Sequence, residues 1–110
     1  MRIAIVICAL GLMLGVVSVA AGDRSEPTTH TVTIEGMKFE PEALTVAAGD
    51  TVVWVNKDLV AHTATSSDAG IFDSNLIAPD ESWTLTVRKK GDFAYTCTYH
   101  PTMKATLHVQ

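Results

Sequence analysis

Near the end of the chain, Cys97-Thr98-Tyr99-His100-Pro101-Thr102-Met103 sets a thiol, an imidazole and a thioether in the pattern Cys-x2-His-x2-Met. A thiolate and a thioether are soft donors, and beside an imidazole they suit copper better than any other common biological metal. A second imidazole stands upstream at His62. With it the set becomes two His, one Cys and a weak axial Met, the donors of a blue-copper electron-transfer site. Zinc fits less well, because a thioether is a poor fourth ligand for it. Taken singly, each residue has a plainer reading: a lone Cys is often a small buried hydrophobe, and a lone His a surface or satisfied polar residue. The combination and its spacing point to a metal.

Donors at i, i+3 and i+6 could also line one face of a helix. Pro101 argues against that, since it disfavours the α region at His100 and costs about 3 kcal/mol inside a helix. Phe93-Ala94-Tyr95-Thr96, just before Cys97, alternates and is rich in aromatics, which reads as a strand. The expectation is that Cys97 ends one strand, a tight loop carries His100 and Met103, and Ala105 to Val109 leaves as the next strand.

The chain has 110 residues, one domain's worth. Residues 1–21 read as a targeting segment, with Met1-Arg2, an apolar run from Ile3 to Val17, and small residues Ser18-Val19-Ala20-Ala21 suited to cleavage after Ala20 or Ala21. An uncleaved anchor is the rival, because the run approaches the roughly 20 residues that span a bilayer. Cys8 within it is an apolar filler. Removing residues 1–21 of 110 leaves 89, enough for a small β-sandwich core. It also leaves Cys97 as the only cysteine, and in an oxidising exported (periplasmic) compartment a single thiol forms no internal disulfide. It is therefore buried and inert, paired with another chain, or held by a metal.

Loss of Arg2 takes the formal charge from −4 to −5. An acidic domain without a basic stripe is a poor nucleic-acid binder. Arg88-Lys89-Lys90 is a local exception, read as a solvated turn, with a docking patch for an acidic partner as the alternative.

Residues 22–29 are polar and aperiodic, a flexible lead-in. From residue 30 to 110 the pattern is β throughout. His30–Ile34 alternates with Val32 and Ile34 on one face, Phe39–Glu42 is a connection, and Ala43–Val46 a short strand. Thr51–Val55 is an almost continuously apolar run typical of a buried strand. Residues 61–66 are another strand candidate and 67–80 a long irregular connection. Ser82–Val87 alternates with Trp83, Leu85 and Val87 inward. Met37 is expected to pack near the first turn, and His30 and His108 to be ordinary polar residues. Seven or eight short strands in this length predict an all-β sandwich or barrel.

On these motifs residues 30–110 resemble the cupredoxins, the small type 1 blue-copper proteins, and within them the amicyanin-like and plastocyanin-like members. The residues that carry the likeness are Phe39-Glu40-Pro41, Gly49-Asp50-Thr51-Val52, Trp54-Val55-Asn56 six residues before His62, Gly91-Asp92-Phe93-Ala94-Tyr95-Thr96-Cys97, and the short Cys-x2-His-x2-Met loop. The resemblance implies an all-β Greek-key sandwich with one copper ion near one end, His62, Cys97 and His100 in a plane around it and Met103 axial. It also implies that the Thr63 N–H donates to the Cys97 sulfur and that Asn56 ties the His62 loop to the neighbouring ligand loop. Ala61 and Thr63 depart from the Pro and Asn common around the first His. Tyr99 and Thr102 replace the Pro and Phe of the amicyanin loop, which alters the surface around His100.

The function so implied is single-electron transfer between larger redox proteins, for instance a dehydrogenase and a c-type cytochrome, by a non-enzymatic monomer whose mature domain does not insert in a membrane. Leu59, Val60, Ala61, Tyr99 and Pro101 would form an apolar collar at His100. Copper carriage in the exported compartment is the alternative, although carriers often show Met-rich or His-rich tracts, whereas residues 22–110 hold only Met37 and Met103. A copper oxidase or nitrite reductase would need further ligands, and residues 22–110 contain no His-x-His pair and no second Cys. A plain adhesive sandwich leaves the four-donor spacing unexplained.

Overall fold

The computed structural model describes Gly15 and residues 26–110. The expected targeting segment 1–21, with its Cys8, and residues 22–25 of the lead-in lie outside the described residues, Gly15 apart. Among the described residues there are eight strands and no helix: β1 (Thr29–Ile34), β2 (Phe39–Glu40), β3 (Ala43–Val46), β4 (Thr51–Asn56), β5 (Thr65–Ser66), β6 (Ser82–Thr86), β7 (Gly91–Cys97) and β8 (His100–Val109). They form two four-stranded sheets, ordered β2-β1-β4-β6 and β3-β8-β7-β5. Only the β1–β2 and β7–β8 hairpins stay within a sheet; every connection between β2 and β7 crosses to the other one. Two of the pairings, β1 with β4 and β3 with β8, are parallel. The protein is the all-β sandwich its sequence predicts.

Alternation makes the two inner faces. Val32 and Ile34 of β1, Val52 and Trp54 of β4, Phe93 and Tyr95 of β7, and Ala105, Leu107 and Val109 of β8 are buried, with half-buried or exposed residues between them. β4, expected as continuously buried, alternates like the rest: Val53 and Val55 are half-buried because only one face of its sheet is covered by the other. Trp83 and Leu85 are half-buried and Val87 buried, the inward set expected for β6. Trp54 centres the core, with its ring 5.7 Å from Tyr95 in an edge-on arrangement, 5.8 Å from Phe72 and 5.3 Å from Trp83. Fully burying aromatic side chains of this size contributes about 1.5–3 kcal/mol or more each relative to exposure. The rigidity this packing gives to β4 and β7 matters because each strand leads into a candidate ligand loop.

Four sequence expectations change. Phe39-Glu40 is strand β2, paired antiparallel with Thr33-Ile34, and Phe39 is core, edge-on to Tyr95 at 4.8 Å. Of residues 61–66 only Thr65-Ser66 joins a sheet, while His62 makes an isolated bridge to Ile77. Met37 is exposed rather than packed, because it sits with Gly36 in the tight β1–β2 turn at positive φ, 58° and 62°. Finally, β8 begins at His100 rather than Ala105. Its pairing with β7 jumps from Thr96↔Lys104 to Cys97↔His100, so Pro101, Thr102 and Met103 are extra residues in a bulge. The expected loop is thus a Thr98-Tyr99 turn followed by a bulge, which re-aims side chains that a regular strand would hold in alternation.

At the far end, Asp50 gathers the chain. Its carboxylate accepts from the Thr28 N–H at 2.9 Å and the Ala47 N–H at 3.0 Å, and its Oδ2 lies 2.9 Å from His30 Nε2. His30 and His108, the latter 2.6 Å from Asp92 Oδ1, are thus polar residues satisfied by carboxylates, as the sequence suggested. Donation from Thr28, then Ala47, then His30, holds the Asp50 carboxyl down at about 2, against an ordinary 3.8. A lowered folded value means that the unfolded chain takes up the proton first, so this contribution is complete above 3.8 and is lost as pH falls towards 2. Accordingly, urea midpoints of the wild-type protein should decline through that window, and Asp50→Asn, less stable at neutral pH, should show a shallower decline there; parallel curves would assign the acid sensitivity to other carboxylates.

Candidate metal centre

Three side chains from three stretches of chain converge at one end of the sandwich. His62 follows β4, Cys97 ends β7, and His100 opens β8. One donor atom from each lies within 4.8 Å of the others. The atoms that face one another are sulfur and the Nδ1 nitrogens: Cys97 Sγ is 3.8 Å from His62 Nδ1 and 3.6 Å from His100 Nδ1. The two imidazole rings meet edge-on, 5.1 Å between centroids. His62 and Cys97 are fully buried and His100 half-buried. Met103, the fourth expected donor, is buried in the β8 bulge, three residues past His100.

The spacing can be tested against a metal ion. With metal–sulfur bonds of about 2.3 Å and metal–nitrogen bonds of about 2.0 Å, as at zinc, an angle near 120° puts the two donors about 3.7 Å apart. The observed 3.6 and 3.8 Å match. Two imidazoles and a thiolate, with a thioether near, favour copper over harder or four-coordinate metals. The residues present therefore fit one copper ion.

What surrounds the donors is as specific as the donors themselves. The Thr63 backbone N–H donates to Cys97 Sγ at 3.3 Å, the contact the family resemblance implied. Such donation stabilises thiolate charge and tunes a metal bound to it. The Thr63 hydroxyl accepts from the Thr98 N–H at 2.9 Å and is shared with Thr65 and Thr98 side chains, so hydroxyls rather than an amide join the first His loop to the Cys97 turn.

Asn56 has a different duty from the expected one. Fully buried at the end of β4, it donates through Nδ2 to Val60 O at 2.8 Å and Ile77 O at 2.9 Å, and its Oδ1 accepts from the Asp58 N–H at 2.9 Å. It shapes the His62 loop and pins it to the 67–80 connection, where His62 and Ile77 exchange backbone hydrogen bonds of 3.1 and 2.7 Å.

Asp58 is the functional candidate that sequence reading missed. Its Oδ2 lies 2.8 Å from His62 Nε2, on the ring edge opposite the sulfur. Burial pushes the Asp58 carboxyl up, but donation from Met37, His62 and Gly36 outweighs it and leaves the group below the ordinary carboxylate range. In the sequence Asn56-Lys57-Asp58 looks like a simple strand breaker. The only signal was a carboxylate four residues before a candidate ligand, and without the turn that places it, that signal is weak.

The family model described as Cupredoxin-like domain matches residues 6–109. Amicyanin of Paracoccus versutus is 30% identical over 83 residues, covering 72% of this chain and 63% of the relative, and amicyanin of Paracoccus denitrificans is 31% identical with the same coverage. The chain thus spans 63% of the length of these two amicyanins. A plastocyanin of Scenedesmus fuscus is 32% identical over 66% of this chain and 86% of that protein. Among solved structures, an amicyanin variant in the Cu(I) state superposes with a TM-score of 0.69 at 28% identity, over 84% of this chain and 87% of that one. A copper-containing nitrite reductase of Thermus scotoductus matches with a TM-score of 0.71 and 30% identity, but this chain covers only 25% of it. The chain belongs to the cupredoxin family. Its cofactor is the copper ion that the donor set fits.

The Asn56 side chain satisfies three backbone groups, so Asn56→Ala should destabilise the protein by roughly 2–4 kcal/mol, the cost of leaving buried polar groups unpaired. Urea unfolding of the metal-free protein checks this; a loss below about 0.5 kcal/mol would mean that water replaces the amide without strain.

Proposed function

We propose that this protein is an exported electron carrier, a type 1 blue-copper protein of the periplasm, in which His62, Cys97, His100 and Met103 hold the copper ion. The observation that carries the reading is the unequal burial of an already assembled site. His62 and Cys97 have no exposed surface, while His100 reaches the exterior beside exposed Tyr99 and Pro101. Copper supplies a one-electron Cu(II)/Cu(I) couple. The chain holds its donors in one compact arrangement that serves both oxidation states, and little movement on electron transfer means a small reorganisation cost. Cys97 gives the bonded route out of the centre, and His100 the edge nearest a partner.

The docking surface proposed is the apolar rim formed by Leu59, Val60 and Tyr99, which are 96%, 48% and 62% exposed, together with Ala61 and Pro101. Exposed large apolar groups clustered on the chain segments that bear the two His residues suit brief contact with another protein. By the family's pattern the partners are redox proteins, an electron donor such as a dehydrogenase and an acceptor such as a c-type cytochrome, met by a monomer. Among the described residues no helix is long and apolar enough to cross a membrane. The organisation proposed is a targeting segment at 1–21, a lead-in at 22–29 and the copper domain at 30–110, acting as a carrier rather than an enzyme.

One observation favours the second reading, copper carriage. Met37 and Met103, the only methionines of residues 22–110, line the same crevice, with exposed Met37 at its rim and buried Met103 within. Two thioethers along one opening would give Cu(I) a soft path.

The visible spectrum of the protein with one equivalent of Cu(II) decides the site. An intense blue band, bleached by a reductant and restored by an oxidant while a chelator in the buffer removes no copper, supports the electron carrier. Copper lost to the chelator on each reduction would favour carriage instead. Cys97→Ala should abolish the band. Met103→Leu should keep Cu(II) bound and raise the reduction potential, as expected when a weak axial donor is lost; an unchanged potential would remove Met103 from the ligand set.

A further inference from the structure

We propose that Asp58 is the positioning residue of the metal centre: its carboxylate holds His62 with the proton on Nε2 and Nδ1 turned to the metal, and its negative charge favours the oxidised ion. The inference rests on the reading of His62 as a copper ligand.

Asp58 Oδ2 and His62 Nε2 are 2.8 Å apart, and the other ring nitrogen faces Cys97 Sγ at 3.8 Å. An ionised carboxylate only accepts, so Nε2 is the donor and the Nδ1 lone pair is left for a metal. This contact selects the tautomer before any ion arrives. It also raises the basicity of the ligating nitrogen.

Asp58 is itself fixed at three points, two on its carboxylate and one on its backbone. The Gly36 N–H donates to Oδ1 at 2.7 Å, the Met37 N–H donates to Oδ2 at 3.0 Å, and Asp58's own N–H is held by Asn56 Oδ1 at 2.9 Å. The donors come from a turn with two successive positive φ values, 62° at Gly36 and 58° at Met37. Methionine seldom adopts that conformation, so the turn runs against local preference. What it does structurally is close the β1–β2 hairpin and aim consecutive N–H groups at Asp58, a small anion-holding concavity.

The charge has no competing cation at hand. All three ion pairs among the described residues join a His to an Asp, and Asp58 meets no Lys or Arg within salt-bridge range. Only His62 of the three His has its second nitrogen directed at the candidate metal position. The Asp58 side chain is 14% exposed, so water screens it only in part. His100, by contrast, has no hydrogen bond at Nε2 among the described residues. One imidazole is therefore anchored from behind by a charge, and the other is free to face solvent or a partner.

The test begins with unaltered protein, so a poorly folding variant cannot obscure it. In 15N-histidine-labelled protein, metal-free and Zn(II)-loaded, His62 should show a slowly exchanging proton on Nε2; a proton on Nδ1 in the metal-free form overturns the proposal. Asp58→Asn and Asp58→Ala, loaded with Cu(II), should keep the blue band and show a raised reduction potential. Their Cu(II) affinity should fall about 10–100-fold, with a smaller change for Cu(I). Asp58→Glu should bring the potential back towards wild type. A lowered unfolding temperature with unchanged potential in the Asn and Ala variants would make Asp58 a loop support only and overturn the proposal. Absence of a blue band in the wild-type protein would instead sink the ligand assignment itself, and this proposal with it, before any variant is made.

Discussion

The structure depends on keeping a thiol sulfur between two imidazole nitrogens without letting the chain collapse into the gap. Cys97 Sγ faces both Nδ1 atoms at 3.6 and 3.8 Å, close enough to share an ion and too far apart for strong hydrogen bonding among themselves. Side chains in such an arrangement gain little from one another in the metal-free protein. The surrounding framework has to supply the order instead. It does so through backbone groups: the Thr63 N–H on the sulfur, the His62–Ile77 bridge, and the Cys97↔His100 pair across the β7–β8 turn. Backbone groups of strands are held by the sheet ladders, so the aromatic packing of Trp54, Phe72 and Tyr95 indirectly fixes the donors.

The framework is not symmetric about the sulfur. The His62 side is locked by Asn56, Asp58 and the threonine hydroxyls, each satisfied by several partners. The His100 side rests on a two-residue turn and a bulge that inserts Pro101, Thr102 and Met103 opposite the end of β7. Bulges bend a strand and redirect the residues they carry, and here the redirection accounts for a buried Met103 only three positions from a half-buried His100. A rigid inner half and a short outer half fit the proposed electron transfer, in which half-buried His100 would meet a partner without His62 or Cys97 moving.

Much of this was legible in the chain. The alternating strands, the inward Trp83, Leu85 and Val87, and the convergence of His62, Cys97 and His100 could be anticipated because hydrophobic period and metal chemistry are local signals. The donors were legible by chemistry, and the comparisons show the family while leaving the individual ligands as a reading of the geometry. What escaped has one cause: each missed feature depends on register or on a turn from elsewhere in the chain. Phe39 became strand β2 by pairing with Ile34, which no local pattern at Phe39-Glu40-Pro41 reveals. Met37 read as a packing residue near the first turn and is exposed because the turn holds it at positive φ. The ligand segment read as a loop and is a bulged strand, since only the register with β7 shows which residues are extra. Asp58 reaches His62 only because Asn56 and the Gly36-Met37 turn place it.

The same asymmetry bears on whether copper stays or passes through. A carrier must release its ion, and release requires at least one donor to withdraw cheaply. His62 and Cys97 are poor candidates, because moving either would deprive a partner of its hydrogen bond: the half-buried Asp58 carboxylate in one case and the buried Thr63 N–H in the other. His100 and Met103 lie on the less braced segment, and Met103 borders the crevice that Met37 shares. On the proposed ligand set, exchange would therefore run by that side, where His100 and Met103 would release an ion before His62 and Cys97. An ion held by an imidazole and a thiolate in a buried site is not readily given up, and this supports the proposed reading of a resident copper over copper carriage.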